Sequence, residues 1–210
     1  MRTKQIHHIS NPELVKQQLL LWSQQFDTVV WLDSNNYNHH QLQYDAILVV
    51  DEFTSIQTDY ENAFEKLKEY QSITKDWIFG YLTYDLKNDV EALSSLNFDG
   101  LGFPDLYFFQ PQKIFLLKGN TLEMHYLMMV DDEFEVDLNA ILKSQDGSLK
   151  TSESPIKIHL RIHKDEYFAK VNTMLEHIHR GDIYEANFCQ EFYAEETQIS
   201  PLETYNKLNR

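Results

Sequence analysis

The residue types best suited to chemistry in this sequence are nine histidines and a single cysteine. His7-His8 and His39-His40 are adjacent pairs, and neighbours on a strand face opposite ways. His159 and His163 straddle a predicted strand-to-helix junction, and His177 and His179 stand about 200° apart around a predicted helix. No H-E-x-x-H or Cys/His spacing joins them, so they predict no metal site; exposed or capping roles account for them. Cys189 lies in an alternating stretch with no basic neighbour in sequence to lower its pKa, which marks a passive thiol. The carboxylates Asp131-Asp132-Glu133-Glu135 and Glu195-Glu196 fall at predicted element ends, where solvation and helix dipoles explain them. P-loop, Rossmann, G-x-S-x-G and kinase signatures are absent. The residues alone predict no catalytic constellation.

The elements that must position these residues are better signposted. Asn11, Pro12 and Glu13 suit the N-cap, first turn and dipole of a helix. Val15, Leu19, Trp22 and Phe26 form its apolar face. A buried strand is predicted at 28–33, then a polar loop SNNYNHHQ, then an apolar run at 46–50. Thr58 and Glu61 have capping-box spacing ahead of a helix carrying Tyr60, Ala63, Phe64, Leu67 and Tyr70 on one face. Residues 77–84 read as a strand in which Gly80 marks a bulge or a close backbone approach. Further strands are predicted at 105–109 and 112–117, with Gly119-Asn120 turning into 121–128.

Asp131 is expected to cap a helix that buries Phe134, Leu138, Ile141 and Leu142. The stretch 144–155 is the most loop-like and divides an expected region 1–150 from 151–210. Residues 156–162 alternate as a half-buried strand. The helix after it places Phe168, Val171, Leu175 and Ile178 on one face and closes at Gly181 as C′, with His179 and Arg180 near its negative end. A strand through Tyr184, Ala186, Phe188 and Phe192 and a short helix opened by Pro201 follow. The predicted fold class is α+β, with mostly antiparallel sheets and packed helices.

Composition sets the outer bounds. With 210 residues, 42% hydrophobic and 13% aromatic, the chain buries a real core and is not disordered. Eighteen Lys and Arg against 33 Asp and Glu leave a net charge of −15, which argues against nucleic acid and anionic membranes as partners. The N-terminus has no apolar leader core, and no run approaches the roughly eighteen apolar residues of a membrane span. One cysteine permits no internal disulfide, so a soluble, cytoplasmic protein is expected.

The segment EYFAKVNTMLEHIHRGDIYEANFCQEF, Glu166 to Phe192, resembles the start of the chorismate-binding domain in the anthranilate and aminodeoxychorismate synthase family. That family has a helix ending in I-x-x-G-D-I-Y/F-Q-V; here Ile178, Gly181, Asp182, Ile183 and Tyr184 match, while Glu185 replaces the usual glutamine and Ala186 the usual valine. Trp31-Leu32-Asp33-Ser34 resembles the early L-L-E/H/D-S element. Gly80-Tyr81-Leu82-Thr83-Tyr84-Asp85 with Glu91 resembles G-Y-x-x-Y-D-…-E, and Asp99 to Asp105 resembles D-…-P-D-…-F. The matches keep the family's order and cover nearly the whole chain. Asn187 resembles the Y-Q-V-N of the aminodeoxychorismate branch more than the F-Q-V-V of the anthranilate branch.

The resemblance implies an enzyme that adds ammonia to magnesium-bound chorismate, giving 4-amino-4-deoxychorismate for p-aminobenzoate and folate synthesis, with a glutamine amidotransferase subunit delivering the ammonia. It implies that the catalytic residues and metal ligands lie outside these residues. The family's P-L-x-x-Y-x-x-L-R is followed by N-P-x-P-Y, whereas this sequence reads Pro201-Leu202, Tyr205, Leu208 and Arg210 and stops. It therefore reads as an inactive N-terminal half able to self-associate through uncovered strands. By position Asp33, Ser34, Tyr44 and Asp45 would line the family's tryptophan pocket, a carboxylate and a hydroxyl holding an ammonium group. The alternative at the same residues is a turn capped by Asp33 and Ser34. An anthranilate synthase component, an amino-acid-binding regulatory module and an amidotransferase-binding subunit remain the other functional classes.

Overall fold

A computed structural model describes residues 1–37, 43–91, 93–95, 98–144 and 156–209. The loop residues His39 and His40 and all but Ser144 of the expected boundary at 144–155 lie outside the described residues. The chain divides into two compact units, Met1–Gly147 and Ser148–Arg210.

The first unit is built on one antiparallel sheet with strand order β1-β6-β5-β3-β2. Its strands are β1 (Arg2–His8), β2 (Val29–Asp33), β3 (Ala46–Thr58), β4 (Phe79–Leu82), β5 (Leu106–Lys118) and β6 (Thr121–Leu127). One edge of β5 pairs with β3; the other is shared between β4 and β6. β1, which carries no sequence signpost, pairs along its length with β6. The 46–50 run extends to Thr58, and the two strands expected at 105–117 are one. Pro111 does not break β5 because it pairs with Glu52 beside a bulge at Phe53, where the ladder is already disrupted.

Helix α1 (Pro12–Ser23) starts as its sequence dictates: the Asn11 side chain accepts from the Leu14 N–H, and Pro12 fills the first turn. Val15, Leu19 and Trp22 meet Leu48, Val50, Phe115, Leu117, Met124 and Tyr126 on one sheet face. Helix α2 (Ala63–Thr74) departs from expectation. Asn62 at its N-cap is left-handed and makes no side-chain cap. Instead Asp89, on the short helix α3 (Lys87–Val90), accepts from the Asn62 and Phe64 amides at 2.9 and 3.2 Å. Thr58 is occupied elsewhere, accepting from Lys66 Nζ. Only Ala63 is buried on α2; Tyr60 and Phe64 are exposed, and the Tyr70 hydroxyl hydrogen bonds with Thr54.

Asp131 likewise caps no helix; it accepts from the Thr3 hydroxyl, and helix α4 (Phe134–Lys143) follows a 3₁₀ turn at Met128–Glu133. Phe134 and Ile141 are buried as expected, Leu138 partly, while Leu142 is exposed. Beneath α4 sits a polar network: Lys113 Nζ donates to Asp137 at 2.6 Å and to Glu133, and the Tyr126 hydroxyl donates to Asp137 at 2.8 Å. The Lys113 ammonium also lies 5.2 Å from the Tyr126 ring centroid. A lysine that deep in the core is tolerable because it is paired and hydrogen-bonded.

The second unit has α5 (Lys164–Arg180), α6 (Pro201–Leu208) and a two-residue pairing of β7 (His159–Leu160) with β8 (Phe192–Tyr193). Gly181 (φ 82°) closes α5 by donating to His177 and Ile178, with Asp182 N also donating to His177. Ser200 caps α6 ahead of Pro201. The strands expected across 156–162 and 184–192 shrink to that pair. A strand needs a hydrogen-bonded neighbour, and among the described residues Tyr184 to Glu191 have none in a ladder. The half-buried stripe of α5 is Tyr167, Val171, Met174 and Ile178, while Phe168 and Leu175 are exposed.

Candidate functional site at the end of the sheet

The connection between β2 and β3 forms the site. Asp33 pairs with Ala46, and the Ser34 amide continues the ladder by donating to the Asp45 carbonyl at 2.9 Å. The chain then turns through Asn35 and Asn36, both left-handed at φ 50° and 60°, a conformation asparagine tolerates. Asp33 Oδ1 accepts from the Asn35 amide at 2.9 Å, an Asx-type cap of that turn.

The same oxygen holds a second donor. Lys16, from α1, places its Nζ 3.0 Å from Asp33 Oδ1 and 3.5 Å from Glu13. The lysine side chain is 7% exposed and the aspartate 11%. Burial works against the charge on Lys16, but Asp33, through its hydrogen bond and its charge, and then Glu13 outweigh it, so the pKa lies above the ordinary lysine value.

The four residues expected to form a pocket do not converge as side chains. Asp33 shares a face with Val29 and Trp31, which pack against the α1 core. Tyr44 packs with Val30 and Ile47 against Val49, Phe109, Ile114 and Leu116, on the opposite face. Asp45 turns outward: its carboxylate accepts from the Gly119 amide at 2.6 Å, and its amide donates to Leu117, tying the loop to the β5–β6 hairpin. Ser34 and Asp45 meet through the backbone. Lys16 was the residue missed, although its place between Val15 and Leu19 put a cation beside the buried stripe of α1.

The other motif segments also find one another. Thr83 donates its hydroxyl to the Asp105 carboxylate and its amide to the Asp105 carbonyl, both at 2.8 Å. The G-Y-L-T-Y-D and D-G-L-G-F-P-D stretches are thus joined at their ends. At the α5 terminus, Asp182 Oδ2 lies 2.8 Å from His177 Nδ1 and accepts from Arg180. His7 and His125 contact Gln5 and Glu123, and Cys189 is exposed. Among the described residues no three His, Cys, Asp or Glu side chains gather as a metal site. Nor is any helix among them long and apolar enough to cross a membrane.

With this geometry in place, comparison decides the family. Residues 24–210 match the chorismate binding enzyme family. The chain belongs to that family. A curated relative, an anthranilate synthase component I-like protein of Synechocystis sp. (strain ATCC 27184 / PCC 6803 / Kazusa), is 25% identical over 149 residues, covering 70% of this chain. The chain spans 30% of that relative's length. In this member of the chorismate binding enzyme family the match takes in the sheet end, both joined motif segments and the α5 terminus, but not β1 or α1. Lys16 therefore lies outside the matched residues, while its partner Asp33 lies inside them.

Proposed function

We propose that this chain is the N-terminal part of an aminodeoxychorismate synthase component I. The whole enzyme joins ammonia to chorismate, forming 4-amino-4-deoxychorismate for p-aminobenzoate and folate synthesis in the cytoplasm. The observation that carries the branch is Asn187, in Tyr184-Glu185-Ala186-Asn187, directly after the helix stop at Gly181. Membership of the chorismate binding enzyme family supports the substrate class.

In this reading a glutamine amidotransferase subunit supplies the ammonia. Bound magnesium would supply Lewis-acid chemistry toward the departing 4-hydroxyl. By the family resemblance, the residues that would hold the ion and the attacking lysine belong to other parts of the enzyme. Residues 1–147 act as scaffold, and Asp33 at the sheet end is the carboxylate suited to an ammonium group. The name of the Synechocystis relative favours a second reading, anthranilate synthesis. Chorismate turnover by the whole protein, with the product identified, separates the two.

A further inference from the structure

We propose that a second copy of this chain covers helix α5, the two copies pairing antiparallel along Phe168, Val171, Leu175 and Ile178. These residues follow one another at steps of three, four and three, the spacing that keeps an apolar seam facing a partner helix over two heptads. The seam is open to solvent: Phe168 is 52% exposed and Leu175 43%, and no residue of α5 is buried. Tyr167 packs its ring against Phe188 at 5.3 Å, while Phe168, one position on, stays in solvent. Among the described residues of the second unit only Leu202 is buried, so the unit covers little apolar surface by itself.

Charge selects the occupant. Helix α5 carries Asp165 and Glu166 in its first turn and His177, His179 and Arg180 in its last. Turned end for end, a second α5 lays its basic turn along this acidic one and its acidic turn along this basic one, with the helix dipoles opposed. Phe168 then lies level with Ile178 of the second copy, and Val171 with its Leu175, so each layer sets a larger side chain against a smaller one. Asp165 and His179 flank the seam, where antiparallel helices bring them together. A parallel pairing puts like ends side by side instead. The two-fold axis passes at the level of Thr173, and every contact occurs twice. The surface invoked is this helix, not the edges of β7 and β8, which pair over two residues only.

The test is sedimentation velocity of the chain over a wide concentration range. The chain sediments with twice its own mass of 25.0 kDa and dissociates on dilution. Leu175→Glu, which sets a carboxylate in the seam of each copy, raises the dissociation constant at least about tenfold. Its far-UV circular dichroism matches the parent, because Leu175 is half exposed in the single chain. Asp165→Lys alone and His179→Glu alone each weaken the dimer, and the double exchange Asp165→Lys/His179→Glu restores it. Helix-dipole effects within one copy predict the opposite, since both exchanges disfavour an isolated helix and add together. The charge series also decides the matter should Leu175→Glu not fold. A species of 25.0 kDa at every concentration overturns the proposal and leaves the face of α5 to another part of the enzyme or to an amidotransferase. A dimer that survives Leu175→Glu moves the contact to a strand edge and overturns it too, as does a double exchange weaker than either single one.

Discussion

Gly80 and the Tyr107 carbonyl approach so closely across β4 and β5 that a Cβ on Gly80 would stand 1.9 Å from that oxygen and 2.7 Å from the Phe108 Cα. The obstacle is backbone on a central strand, which cannot rotate away. Gly80→Ala therefore strips β4 from the sheet or strains β5, costing about 3 kcal/mol or more. Chemical denaturation measures the loss; a variant within 1 kcal/mol of the parent, on the order of an ordinary surface change, contradicts the packing described.

The cap of α2 gives a second prediction, because it comes from a distant residue. Asp89→Ala leaves the Asn62 and Phe64 amides without their acceptor and costs about 1 kcal/mol. Thr58→Ala, at the position where sequence spacing put the cap, costs less. Equilibrium urea unfolding of the two variants orders them, and the reverse order sinks the assignment.

Lys113 and Asp137 form the third test. Lys113→Ala removes the cation from Glu133 and from Asp137, leaving Asp137 with the Tyr126 hydroxyl alone, and destabilises by about 3–5 kcal/mol. The apolar exchange Lys113→Met/Asp137→Leu, made together with Tyr126→Phe so that no buried hydroxyl loses its acceptor, recovers most of that, since the pair repays little beyond its own desolvation. A combined variant as unstable as the single one contradicts this.

Alkaline pH acts on the same network. Burial, then the charge of Asp137, raises the Tyr126 pKa; burial and the Glu52 hydrogen bond push Tyr107 up to about 12. Burial opposes the charge of Lys113, but Asp137 and Glu133 raise its pKa on balance. Each folded value lies above the unfolded one, 10.0 for tyrosine and 10.5 for lysine, so the stabilisation is complete below those values. It is lost as pH rises through the folded values. The urea midpoint holds to pH 10.0 and falls above it, and Tyr126→Phe blunts the fall. A midpoint unchanged to pH 12 is the contrary result.

Local chemistry made much of this fold legible. Asn11-Pro12, Gly181 and Ser200-Pro201 act within one turn of themselves, so their sequence context is their structural context. Gly80 was readable because a glycine inside an apolar strand has few other reasons to be there. What escaped depends on partners far along the chain. β1 is polar and becomes a strand only against β6, and Asp89 caps α2 from 27 residues away. The strand expected after Gly181 has the right alternation, yet alternation supplies no neighbour. At the sheet end, Asp33, Ser34, Tyr44 and Asp45 were grouped by motif, but a motif does not say which face each side chain takes. Lys16 belonged to no motif, and a salt bridge across 17 residues leaves no local trace.

The most direct test of the account is turnover by the whole protein that the gene encodes, given chorismate, magnesium and ammonia, with products separated by chromatography. The account predicts 4-amino-4-deoxychorismate. Anthranilate as the product would contradict it and move the protein to the other branch of its family.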